Sequence, residues 1–152
     1  MSAFTLADFV AESNRIEGLL RTLPSEIDAH ERFLSIDKPT VADLEEFVRV
    51  VAPGKPIRNR IGMNVRVGNH VAPMGGREIE IELMLLLQKA TRKSPYYTPF
   101  GAHRSYETLH PFMDGNGRSG RVLWLWMMGG IERAPLGFLH HWYYQSLAES
   151  RP

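Results

Sequence analysis

Apolar residues recur at helical spacing along most of the chain. Thr5 with Asp8 reads as a helix start, and Leu6, Phe9, Val10, Ile16, Leu20 and Leu23 follow on one side. That pattern predicts an amphipathic helix reaching about Leu23, with Pro24 closing it or opening the next. Ser25 to Leu34 reads as a second helix. A third runs from Val41 to Val51, where Val41, Leu44, Phe47, Val48 and Val51 share a face behind Thr40 or Asp43 as cap. Between Ile57 and Pro73 the period changes. Met63-Asn-Val-Arg-Val67 alternates and Gly68-Asn69 is a turn pair, which predicts a short β-hairpin over residues 57–73. Helical spacing returns over Glu78–Ala90, Thr98 or Pro99 to Leu109, Asn116–Met128 and Leu136–Glu149. Gly129-Gly130 ends the third of these. The expected fold class is all-α: about seven helices and one hairpin in a single domain spanning 1–152.

Composition narrows the partners. The chain has 152 residues, enough for a proper core. Eighteen basic residues against 17 acidic leave a net charge of +1, so no electrostatic footprint for nucleic acid is expected. Cysteine is absent, which removes disulfides and thiolate metal sites. No apolar run approaches membrane-spanning length, and Met1-Ser-Ala-Phe-Thr-Leu6 lacks a basic leader. A soluble, cytoplasmic protein without nucleic-acid or membrane partners is the expectation. Its oligomeric state is open.

The chemistry concentrates in His110-Pro-Phe-Met-Asp-Gly-Asn-Gly-Arg-Ser-Gly-Arg121. Phosphates favour helix starts, where free N–H groups and the helix dipole both face the anion. Gly115 and Gly117 permit a tight turn that aims such groups inward, and Asn116 tolerates it and can donate to a phosphate oxygen. Arg118 and Arg121, three apart, fall on one side of the first turns and can neutralise outer phosphates. Asp114 offers a hard oxygen for Mg²⁺, which takes one or two protein carboxylates beside nucleotide phosphates. His110 can remove a proton from an attacking hydroxyl. Phe112 reads as the apolar anchor of the loop. Taken singly, each residue is more simply a turn or cap. Together they answer the needs of one site.

This string resembles the signature of Fic-domain proteins, His-Pro-Phe-x-Asp-Gly-Asn-Gly-Arg-x-x-Arg, at every defined position. The resemblance implies transfer of AMP from ATP to a Ser, Thr or Tyr hydroxyl of a target protein, with release of pyrophosphate. It implies His110 as base, Asp114 on Mg²⁺, Gly115, Asn116 and Gly117 around the anion, and Arg118 and Arg121 on the β- and γ-phosphates. Kinase relatives of the Doc type carry lysine after the motif asparagine. Gly117 stands there in this chain, which favours nucleotidyl over phosphoryl transfer.

The first helix carries a conflict. Ser13 and Glu17 fall in the same arc as Leu6, Val10 and Leu20, and a carboxylate on a buried stripe is costly unless a cation meets it. The alternative is a slightly rotated helix with Glu17 at its rim. Ser13-Asn-Arg-Ile-Glu-Gly18 also resembles the inhibitory motif of Fic proteins that carry it on an N-terminal helix. That implies a Glu17–Arg121 ion pair with Ser13 bonded nearby, blocking the γ-phosphate. Leu19 departs from the asparagine common after that glycine.

Val65 to Pro73 resembles the flap by which Fic proteins grip a target through strand addition, which points to Val67, Gly68, Asn69 and His70 as docking residues. Tyr144, in the final helix, resembles a position lining the adenosine pocket. Trp124, Trp126, Met127 and Met128 are assigned to packing. His70, His103, His140 and His141 show no metal-ligand spacing, and zinc is not expected. Self-modification is a further expectation. Two alternatives stay open: removal of AMP from a modified protein by the same site, and a nucleotide-binding regulator with little turnover.

Overall fold

A computed structural model describes residues 4–134. Helix α1 (Leu6–Ile16) opens on a reciprocal cap. Thr5 Oγ1 accepts the Asp8 N–H at 3.2 Å, and the Asp8 carboxylate accepts the Thr5 N–H at 2.8 Å. The helix is shorter than the apolar period predicts. Gly18 adopts φ 78°, its N–H bonds Arg15 O at 2.9 Å, and the Leu19 N–H bonds Asn14 O at 2.9 Å. This paired closure with a left-handed glycine is a Schellman ending, and it stops the helix at once. Leu20, expected on the buried face, is 91 % exposed, and Leu23 is also exposed.

Helix α2 (Pro24–Leu34) begins on proline, whose missing N–H is no loss in a first turn. Helix α3 (Val41–Val51) repeats the reciprocal cap with Thr40 and Asp43. Strands β1 (Arg66–Val67) and β2 (His70–Val71) pair antiparallel, with Arg66 opposite Val71 and Val67 opposite His70 across the Gly68-Asn69 turn. Helices α4 (Arg77–Thr91), α5 (Pro99–Leu109) and α6 (Asn116–Met128) follow, then a 3₁₀ turn at Ile131–Arg133. The mainly helical fold with a small hairpin agrees with the expected class. Six α-helices lie among the described residues; the expected last helix, Leu136–Glu149, lies outside them.

Helix α6 is the axis of the domain. Val122, Leu123, Trp124 and Leu125 are all buried, so its middle turns are enclosed on every side. Helices α2 to α5 surround one part of it with Phe33, Leu44, Phe47, Leu83 and Tyr106. Helix α1 closes the remaining side, where Phe9 stacks on Trp124 at 6.5 Å between ring centres. Each buried large apolar side chain contributes about 1.5–3 kcal/mol. The motif loop therefore leaves α5 and enters α6 inside a rigid frame, with the C-terminal end of α1 above it.

Candidate active site

His110 ends α5 in the left-handed region, at φ 50° and ψ 62°. Such a conformation is uncommon for a residue with a Cβ and marks a position held by its surroundings. Its ring Nδ1 lies 3.0 Å from Glu107 O. A carbonyl only accepts, so the neutral ring carries its proton on Nδ1 and keeps the Nε2 lone pair available. That is the tautomer a general base needs.

The loop after His110 is tied by main-chain bonds. Asn116 clamps it from both ends: its Oδ1 accepts the Phe112 N–H at 2.9 Å and its Nδ2 donates to Phe112 O at 2.8 Å. Phe112 is buried and pairs with Ile57 in an isolated antiparallel bridge. Ser119 Oγ donates to Gly115 O at 2.7 Å and accepts the Tyr106 hydroxyl at 2.7 Å. Gly115, at φ 81°, is the N-cap of α6, where a Cβ would stand 3.0 Å from Ala52 Cβ. Only glycine meets both demands. Asn116 is thus occupied in holding the loop, beyond the phosphate contact read from its type. Asp114 is exposed at the rim, with Oδ1 accepting the Gly115 N–H at 2.7 Å.

The two motif arginines part company. Arg118 is buried and its Nη1 donates to Val51 O, at the end of α3. Equal helical spacing places Arg118 and Arg121 near one another, but a long side chain can fold to either flank, and Arg118 folds away to α3. Arg121 is 4 % exposed and turned towards α1. Its Nε donates to Ser13 Oγ at 2.8 Å, and Nη2 donates to Ser13 O at 2.9 Å and to Glu17 Oε1 at 2.8 Å. Glu17 is not on the helical stripe but at its C-cap, with 37 % of its side chain exposed. A Cβ on Gly117 would overlap Glu17 Oε1, so the carboxylate lies directly against the start of α6.

Four positions that no sequence pattern singles out complete the site. Asn14 Nδ2 donates to Arg21 O at 3.1 Å and to Glu26 Oε1 at 3.2 Å, while the same oxygen accepts the Leu23 N–H at 2.8 Å. This buried pair fastens the end of α1 to the start of α2. On α5, Glu107 receives His103 Nε2 at 3.3 Å. Desolvation alone would raise the Glu107 carboxyl. The His103 hydrogen bond and the charges of His103, Arg121 and His110 hold it below the ordinary carboxylate range. Arg58 is the fourth. Its partners are carbonyls from separate segments, and nothing in the local sequence announces them.

Residues 26–128 match the Fic/DOC family. The chain belongs to that family. The matched stretch begins in α2, so Ser13 and Glu17 lie ahead of it. No curated protein and no solved structure matches this Fic chain.

The hairpin residues Val67, Gly68, Asn69 and His70 are all exposed. His70 Nε2 lies 3.0 Å from Thr108 O, two residues before His110, which pins the hairpin beside the end of α5. Tyr144 lies outside the described residues. Among those residues no group of three or more His, Asp or Glu side chains could hold a metal, and no helix is long and apolar enough to cross a membrane. A single exposed carboxylate such as Asp114 still suits Mg²⁺ arriving with nucleotide phosphates.

Proposed function

We propose that this Fic chain is a self-inhibited protein adenylyltransferase. The observation that carries the reading is the engagement of Arg121 by Ser13 and Glu17 at the start of α6, beside His110. In the transfer, His110 Nε2 takes the proton of a target Ser, Thr or Tyr hydroxyl. The oxygen attacks the α-phosphorus of ATP, and the bond to the β-phosphate bridging oxygen breaks, releasing pyrophosphate. The N–H groups that open α6 face the phosphates. Arg121 carries the charge of the outer phosphates once Glu17 releases it, while Arg118 braces the loop from α3. Asp114 would hold Mg²⁺, which when bound offsets phosphate charge. The target lies along the hairpin, whose outer edges are open to another strand.

Glu17 stands where a terminal phosphate must go, so the inhibited state and the productive nucleotide exclude each other. Glu17→Gly is expected to raise AMP incorporation from labelled ATP at least tenfold. His110→Ala on that background removes it, by about a hundred- to ten-thousandfold. Intact-mass spectrometry after incubation with Mg²⁺ and ATP, with and without a candidate target, reads both and reveals self-modification. Equal incorporation by the wild type and Glu17→Gly sinks self-inhibition; retained incorporation without His110 sinks the base. Removal of AMP is a second reading, favoured by the Glu17 carboxylate, whose side chain is 37 % exposed and so meets solvent. A pre-modified target lets the same experiment test it.

A further inference from the structure

Arg58 lies in the loop between α3 and the hairpin and is fully buried. Among the described residues, none of its hydrogen-bond partners is a carboxylate. Nε donates to His110 O at 2.6 Å and Nη2 donates to Leu109 O at 2.8 Å. Nη1 donates to Met63 O at 3.0 Å and to Pro73 O at 2.7 Å. Four of the five guanidinium N–H groups are thereby used, all on backbone carbonyls. Two of these carbonyls end α5, one of them belonging to the left-handed histidine itself. The other two stand on opposite legs of the hairpin, one before β1 and one after β2. The Arg58 main chain repeats the link: its N–H bonds Pro111 O at 2.8 Å, and its carbonyl accepts the Gly76 N–H at 2.9 Å.

A buried cation is expensive, and packing alone would be served better by leucine or methionine. The C-terminal carbonyls of α5 offset part of that cost, because they form the negative end of the helix. What a hydrocarbon cannot supply is a planar fork that reaches two segments at once. Lysine cannot either, since its three donors radiate from one nitrogen.

We propose that Arg58 is a positioning residue that fastens the backbone of His110 to both legs of the hairpin, fixing the distance between the base and a hydroxyl docked on the hairpin. The inference rests on the transferase reading for the roles of His110 and the hairpin. Thr108 O, bonded by His70, gives the hairpin tip a second tie to α5. The tip tie is exposed and the Arg58 tie is buried, so Arg58 sets the frame. A misplacement of about 1 Å between reacting groups costs about a hundredfold in rate.

The test uses Arg58→Lys in the full chain carrying Glu17→Gly, with AMP incorporation and amide hydrogen exchange measured on both proteins. The expected result is a kcat lower by about a hundredfold with an unchanged KM for ATP. Exchange should accelerate together in Arg66–Val71 and Phe112–Gly115 while α3 keeps its protection. A parental kcat, or faster exchange in only one of the two segments, overturns the proposal. If Arg58→Lys does not fold, NMR of the Glu17→Gly protein decides. A slowly exchanging Arg58 Nε–H supports the staple, and exchange as fast as that of a surface arginine overturns it. Absence of incorporation by Glu17→Gly itself counts against the transferase reading, and the exchange measurements then still judge Arg58.

Discussion

The motif loop and the end of α1 face each other across Arg121, and they are built to opposite standards. The loop between α5 and α6 is fixed by buried donors on its own backbone: Asn116 at Phe112, Ser119 at Gly115 and Arg58 at His110. The proposed inhibitory side meets Arg121 through buried Ser13 and through one carboxylate, Glu17, at the C-cap of a helix only 11 residues long. Of the two, only that carboxylate, with 37 % of its side chain exposed, is open to solvent. A site whose geometry must persist is held by main-chain bonds. A block that must be removable hangs on a side chain. On the proposed reading, release of Arg121 by Glu17 leaves the motif loop in place.

The largest effect that would sharpen this contrast comes from Asn116→Ala. It frees two buried Phe112 main-chain groups at a cost of about 1–3 kcal/mol each, and activity on the Glu17→Gly background should vanish. Urea denaturation reads the first and AMP incorporation the second. Glu17→Gly should instead leave stability within about 1 kcal/mol of the wild type, since half-exposed ion pairs contribute little and Ser13 still meets Arg121. Equal losses of stability in the two variants would break the comparison.

An intermediate effect belongs to His30. Its ring lies buried between Phe9 of α1 and Phe47 of α3, with Nδ1 2.6 Å from Glu26 O. Burial pushes its pKa from 6.5 down to about 4, against the raising influence of Glu26 and with a small lowering from Arg121 and Arg118. The unfolded chain then binds the extra proton between those values. Stability is complete above pH 6.5 and falls as the pH drops towards 4, by about 3 kcal/mol in all. His30→Phe should flatten that part of the curve of unfolding free energy against pH. An unchanged slope would show that His30 is not the titrating group.

The smallest effect is at the far end of α1. Thr5→Ala removes a cap worth about 1 kcal/mol. If α1 opens locally, basal incorporation by the Thr5→Ala protein, with Glu17 in place, should rise about fivefold, and the unfolding free energy should fall by about the same 1 kcal/mol. No rise would mean that Glu17 leaves Arg121 without any loosening of α1.

Much of this arrangement was legible in the chain, for local reasons. Helices α3, α5 and α6 carry their own boundaries: Thr40 with Asp43, Thr98 before Pro99, and Gly129 after Met128. The pairing of Ser13 and Glu17 with Arg121 was expected from the resemblance of Ser13–Gly18 to the inhibitory motif; the stripe argument named no partner, and Glu17 sits at the C-cap, off that stripe. The extension of α1 to Leu23 was misread because Leu20 and Leu23 prolong the apolar period, while Gly18 ends the helix by its backbone. Arg58, Asn14 and Glu26 were invisible for a different reason. Their partners are backbone carbonyls and a distant side chain, and such groups leave no trace in residue type. Arg118 shows the limit of spacing: it places a Cβ and says nothing about where a long side chain finds its acceptor.

The left-handed turn at His110 has one more consequence. It stops α5 and lets the chain reverse into α6, so the negative end of one helix and the positive end of another meet at the same spot. In the proposed transfer a proton settles on the imidazole while negative charge builds on the departing phosphates. Each new charge appears beside the helix end of opposite sign. The field that separates them exists before the substrates arrive, so little of the protein has to reorient as the charges form.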